Sequence, residues 1–163
     1  MDLTAEEIMR RNVQTVPAGM PLPELERTLL AAGVSGFPVV EGQELVGVVS
    51  RSDIIRQLDL EQQTAEQTSD FYRDETGFHE IPLETLAQRA GRIGERMAEL
   101  TVGDVMHRQL VAVPPEQPLR AIAETMVDQN IHRVLVTREG KLQGVISTTD
   151  FARLYAQGKL KPA

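Results

Sequence analysis

Two tetrapeptides, Ser50-Arg51-Ser52-Asp53 and Ser147-Thr148-Thr149-Asp150, each follow a short apolar run that opens on glycine, Gly47-Val48-Val49 and Gly144-Val145-Ile146. A β-branched run that passes into such residues reads as a strand feeding a helix. At that junction backbone N–H groups lack intrahelical partners and the helix dipole adds positive potential. Such a point accepts a phosphate or a carboxylate. Ser50, Ser52, Ser147, Thr148 and Thr149 add hydroxyls, and Arg51 adds a cation inside the first motif. Asp53 and Asp150 fall in the first helical turn, where a carboxylate can accept two hydrogen bonds from a vicinal diol such as a ribose. The same spacing also describes a capping box, in which the acid three residues on reaches back to the N–H of its serine cap. Thr4-x-x-Glu7 and Thr101-x-x-Asp104 share it. The two roles compete for one carboxylate.

The motifs belong to an internal duplication. At an offset of 97 residues, positions 4–58 align with 101–155 without a gap and give 15 identities in 55 positions. Unrelated sequences of this composition give about three or four. The matches include Met9, Pro17, Pro21, Gly47, Ser50, Asp53 and Arg56 with their partners. Each copy predicts the same elements. In copy 1 a short helix runs from Thr4 to near Arg10, and a brief strand spans Val13 to Val16. Pro21 opens a helix with Leu22, Leu25, Leu29 and Leu30 on one face, ended by Gly33. Strands at Phe37–Val40 and Leu45–Ser50 flank a hairpin turn, and a last helix starts at Arg51. Copy 2 predicts a helix over Val102–His107, a strand over Leu110–Val113, a helix over Leu119–Gln129, strands over Val134–Thr137 and Leu142–Ser147, and a helix from Thr148. Units of 55 residues with such short strands are marginal alone, so the copies are expected to pack their sheets together.

This element order, with GVVSRSD and GVISTTD at the last strand-to-helix junction, resembles the cystathionine-β-synthase (CBS) domain family. Two tandem copies resemble the CBS pair, or Bateman module. The resemblance covers about two thirds of the chain. It implies an α/β (α+β) fold of two β-α-β-β-α repeats packed sheet to sheet with pseudo-twofold symmetry, joined by a helical linker. The expected divisions are 1–58 for repeat 1, 59–100 for the linker and 101–163 for repeat 2. It also implies an adenosine ligand (AMP, ADP, ATP, S-adenosylmethionine or NADH, with or without Mg²⁺) whose ribose meets Asp53 or Asp150. Family members often use a His-Arg pair at the start of the second strand for phosphate. Copy 2 has His132-Arg133 there and copy 1 has Ser35-Gly36. Because the family arrangement can bring this strand start to the ligand of the other copy, the Asp53 site is expected to be the better supplied. The resemblance further implies a homodimer and an adenine slot near Val13–Val16 and Leu110–Val113, which are core strand residues first.

Between the copies, Leu58–Gln67 is expected to prolong the copy 1 helix. Leu83, Leu86, Ala90, Ile93, Met97 and Leu100 recur at spacings of three and four, an amphipathic helix that either packs back on the pair or meets a partner. Phe71, Tyr72 and Phe78 cluster between these stretches. Arg73–Glu80 is expected to be a solvated acidic loop, with a Mg²⁺ site as the lesser reading.

The 163 residues carry a net charge of −7 and no cysteine, and only 4% are aromatic. That balance disfavours nucleic acid and anionic membranes as partners, and excludes thiolate metal sites, disulfides and a cysteine nucleophile. The longest apolar runs are far too short to cross a bilayer, and the polar N-terminus is not a targeting segment, so a cytoplasmic location is expected. His79, His107 and His132 are scattered, with Met106-His107-Arg108 expected at the surface. HExxH, GxSxG and P-loop patterns are absent, so no enzyme and no catalytic or metal residues are expected. The reading is a regulatory module that senses an adenosine compound in the cleft between the repeats and acts through its dimer or a client protein. The alternative is an interaction or dimerisation module in which the Ser-x-x-Asp motifs are only helix caps.

Overall fold

Pro21 and Pro118, fixed near φ −61° with extended ψ, each stand one residue before a helix and set its entry. In the computed structural model, which describes residues 3–60 and 86–160, these helices are Leu22–Ala32 (α2) and Leu119–Asp128 (α6). The first buries Leu22, Leu25 and Leu29, the second Leu119, Ile122 and Met126, each a stripe of three- and four-residue spacing. Leu30, expected on the same face, is 63% exposed. It lies about 100° around the helix from Leu29 and so falls outside the stripe. Gly33 (φ 64°) ends α2, and Asn130 (φ 51°), at the matching position, takes the same left-handed conformation after α6.

The other elements follow the repeat. Short helices Ala5–Ile8 (α1) and Val102–Val105 (α5) start on the capping boxes of Thr4 and Thr101. The strands are Val16–Pro17 (β1), Gly36–Glu41 (β2) and Glu44–Ser50 (β3), then Ala112–Val113 (β4), Arg133–Arg138 (β5) and Lys141–Ser147 (β6). Residues 51–60 are helical (α3), as are Leu86–Glu99 (α4) and Thr148–Ala156 (α7). One sheet has the order β1-β2-β3 and the other β4-β5-β6. In the second, β4 is parallel to β5 and β5 antiparallel to β6. β1 is shorter than expected because the Val13 N–H turns back onto the Arg11 carbonyl (3.0 Å) and leaves the ladder.

The chain forms two compact units, each containing segments of both copies. The first comprises Met1–Thr15, Val40–Leu45 and Gln109–Ala163. In it α1 lies on the copy 2 layer, with Ala5 and Met9 buried among Ile122, Met126, Val134 and Ile146. The second comprises Val16–Val39 and Val46–Arg108. There Val102 and Met106 of copy 2 are buried with Leu22, Leu25, Phe37 and Val49 of copy 1.

The linker helix α4 adds Met97 to this second core, with Ile93 packed against it. The expected extension over 61–67, the aromatic cluster Phe71, Tyr72 and Phe78, the acidic stretch 73–80, His79 and Leu83 lie outside the described residues.

Each docked segment is pinned by backbone. Arg10 exchanges N–H···O bonds with Val145 (3.0 and 3.1 Å), and His107 exchanges them with Val48 (2.9 Å each). A Cβ on Gly144 would stand 2.7 Å from the Arg10 carbonyl, and one on Gly47 would stand 2.8 Å from that of His107. Glycine at these matched positions is what lets the segments approach.

Candidate functional site

Asp150 sits in the first turn of α7 and is 4% exposed. Its Oδ2 accepts the Ser147 N–H (2.8 Å) and the Ser147 hydroxyl (2.8 Å), so the capping box is formed. Its Oδ1 accepts Arg153 Nη1 from one turn along the helix (3.0 Å) and Arg10 Nε from the segment after α1 (3.0 Å). Arg10 also donates through Nη2 to the Ser147 hydroxyl oxygen (3.0 Å). Burial by itself raises the carboxyl pKa. The hydrogen bonds from Arg10 and Ser147, with the charge of Arg10, outweigh it and hold Asp150 below the usual carboxylate range.

Copy 1 builds the same junction with one exchange. Asp53, 3% exposed, accepts the Ser50 N–H (2.8 Å) and hydroxyl (3.0 Å) at Oδ2. Its Oδ1 meets Arg56 Nη1 (3.1 Å) and His107 Nε2 (2.8 Å). Arg56 Nη1 also lies 3.2 Å from His107 Nε2, so the three side chains form one cluster. Arg56 and Arg153 match across the repeat, and so do His107 and Arg10. Asp150 therefore accepts four donors, about the full capacity of a carboxylate, whereas Asp53 accepts three and has His107 Nε2 2.8 Å from its Oδ1.

Ser50 and Ser147 are half-buried, whereas Arg51, Ser52, Thr148 and Thr149 are exposed on the outer face of the helix starts. The N–H of Thr148 is taken by the His132 carbonyl (3.0 Å), and that of Arg51 by the Ser35 carbonyl (2.8 Å). These N–H groups, expected to be free, instead close the strand pair, because the hairpin carries its hydrogen bonding one residue past the strand end. Arg133 is directly opposite Ser147 on the neighbouring strand, so the two side chains leave the same face of the sheet. The structure thus gathers His132, Arg133, Ser147, Thr148, Thr149 and Asp150 in one unit and Ser50 to Asp53 in the other. At the copy 1 position matching Arg133, a Cβ on Gly36 would stand 2.6 Å from the Val49 carbonyl, which excludes a side chain there.

Arg10, Arg56, Arg153 and His107 were not among the expected site residues. Met106-His107-Arg108 is only partly a surface segment: Met106 is core and His107 reaches a buried carboxylate. The repeat carried a signal for all four, since Asp-x-x-Arg recurs in both copies and a basic residue recurs at 10 and 107. Among the described residues, no group of three or more His, Asp or Glu side chains is placed to hold a metal ion. No described helix is long and apolar enough to cross a membrane.

The CBS domain family model matches residues 5–60 and 102–157, most of the chain and both copies of the motif. The chain belongs to the CBS-domain family. The uncharacterized protein MJ1225 of Methanocaldococcus jannaschii is 26% identical to this CBS pair over 149 residues, covering 91% of this chain and 41% of that one. The chain spans less than half the length of the curated relatives it matches. Among solved structures, CBSX2 in complex with AMP has a TM-score of 0.67 at 22% identity, covering 96% of this chain and 98% of that one. The CBS pair of MJ0100, in complex with 5′-methylthioadenosine and S-adenosyl-L-methionine, has a TM-score of 0.62 at 17% identity, covering 98% and 100%. At these identities the structural likenesses establish the CBS-pair fold.

Proposed function

We propose that this CBS pair is a regulatory module that binds an adenosine nucleotide or adenosyl compound at its Ser-x-x-Asp junctions and signals through a homodimer or a client protein. The observation that carries this reading is the duplicated buried aspartate at a helix start, ringed by hydroxyls and cations. A buried carboxylate reads a diol, and Arg133 on the Ser147 face, with Arg10 and Arg153, suits a phosphate. Relatives crystallised with AMP and with S-adenosyl-L-methionine support the ligand class.

A thermal-unfolding series with AMP, ADP, ATP and S-adenosylmethionine, with and without Mg²⁺, tests it. Ligand at one hundred times its Kd adds about 2.7 kcal/mol, several degrees in Tm for a chain of this size. A rise for one adenosyl class and none for a guanosine control is expected. Unchanged Tm at millimolar concentrations of all of them contradicts the reading.

One observation favours the second reading, an interaction module whose aspartates are caps. The four acceptor positions of Asp150 are already filled by protein donors, and Asp53 accepts three with His107 Nε2 2.8 Å from its Oδ1. It predicts that Asp53→Ala and Asp150→Ala lower stability and change nothing that depends on nucleotide.

A further inference from the structure

We propose that Arg10 is a built-in competitor for the junction of copy 2: it holds the acceptor position on Asp150 that a ribose diol needs, and a nucleoside gains this site only by displacing it. This rests on the nucleotide reading and adds its regulation. A diol hydroxyl must donate to the carboxylate, and Asp150 has donors on every lone-pair position. One of them has to leave.

Three of the four are local. The Ser147 N–H and hydroxyl belong to the capping box, and Arg153 is one turn away on the same helix. Arg10 alone arrives from a distant part of the sequence, and its side chain is 54% exposed, so water can solvate the guanidinium once it swings out. It also ties up the Ser147 hydroxyl, so one movement frees a lone pair on Asp150 and another on Ser147. The matched residue in copy 1, His107, meets its aspartate through a single ring nitrogen at 2.8 Å. The two junctions are therefore closed by different chemistry, a two-point guanidinium in one and a one-point imidazole in the other. Nucleoside occupancy at Asp150 thereby becomes coupled to the segment that follows α1.

Calorimetric titration with adenosine, which carries the diol and no phosphate, separates this competition from phosphate attraction to arginine. Arg10→Met should bind adenosine about tenfold more tightly than wild type, the scale of one partly solvated charge-assisted hydrogen bond. Arg10→Met combined with Asp150→Ala should lose that gain. Arg10→Lys, which keeps the charge but cannot bridge Asp150 and Ser147, should fall between, and it carries the test if Arg10→Met does not fold. Adenosine binding that is unchanged or weaker in the Arg10 variants overturns the competitor alone. A gain that survives removal of Asp150 does the same. Absence of binding in wild type and in every variant overturns both the competitor and the nucleotide reading.

Discussion

At the scale of single residues, the two motif aspartates show how one carboxylate serves as helix cap and as ion-pair centre. Asp150→Ala removes a cap and two pairs with arginines that are more than half exposed, so the loss should be about 1–2 kcal/mol. Urea unfolding at pH 7 measures it. Because the Asp150 carboxyl lies below its ordinary range when folded, its contribution is complete above the unfolded-state pKa and is lost as pH falls from there through the lowered folded value. The stability gap between wild type and Asp150→Ala should therefore close in acid. A gap of constant size down to pH 2 contradicts the assignment. The aspartates were legible in the sequence because Ser-x-x-Asp is local and recurs at the offset of 97. Their cationic partners Arg10 and His107 were not, since they stand 140 and 54 residues away along the chain and nothing local says what they face.

At the scale of elements, the decisive feature is that each short N-terminal helix lies on the other copy's layer. The bridges Thr4 to Pro118 and Arg10 to Val145 in one unit are matched by Pro21 to Thr101 and Val48 to His107 in the other. Gly144→Ala should force the Arg10 carbonyl and Met9 away and cost about 1–3 kcal/mol, the range for overpacking. Amide exchange at Val145, whose N–H bonds to the Arg10 carbonyl, should speed up with it. Unaltered exchange there would show that the close approach is not what holds the segment. Helices, strands and hairpins were readable from period, proline and glycine. The exchange was not, because Ala5, Met9, Val102 and Met106 look like ordinary apolar positions of their own copy and only the fold assigns them elsewhere. Leu30 misled for the opposite reason, as an apolar residue beside the stripe that the core does not use.

At the scale of the molecule, Leu30 and Val127 are exposed at matched positions, and so are Leu58 and Tyr155. Neither core formed by the described residues takes in these repeated apolar positions, which supports the homodimer we propose. Sedimentation should give a dimer for wild type and a monomer for Leu30→Glu combined with Val127→Glu. A wild-type monomer at high protein concentration contradicts that assembly. The central claim is that the motif aspartates read an adenosine ligand, and calorimetric titration of AMP into wild type, Asp53→Ala and Asp150→Ala tests it most directly. The account predicts saturable binding by wild type that is lost or weakened at least tenfold in one or both folded variants. Binding equal in all three, or absent from all three, would contradict it and leave the aspartates as caps.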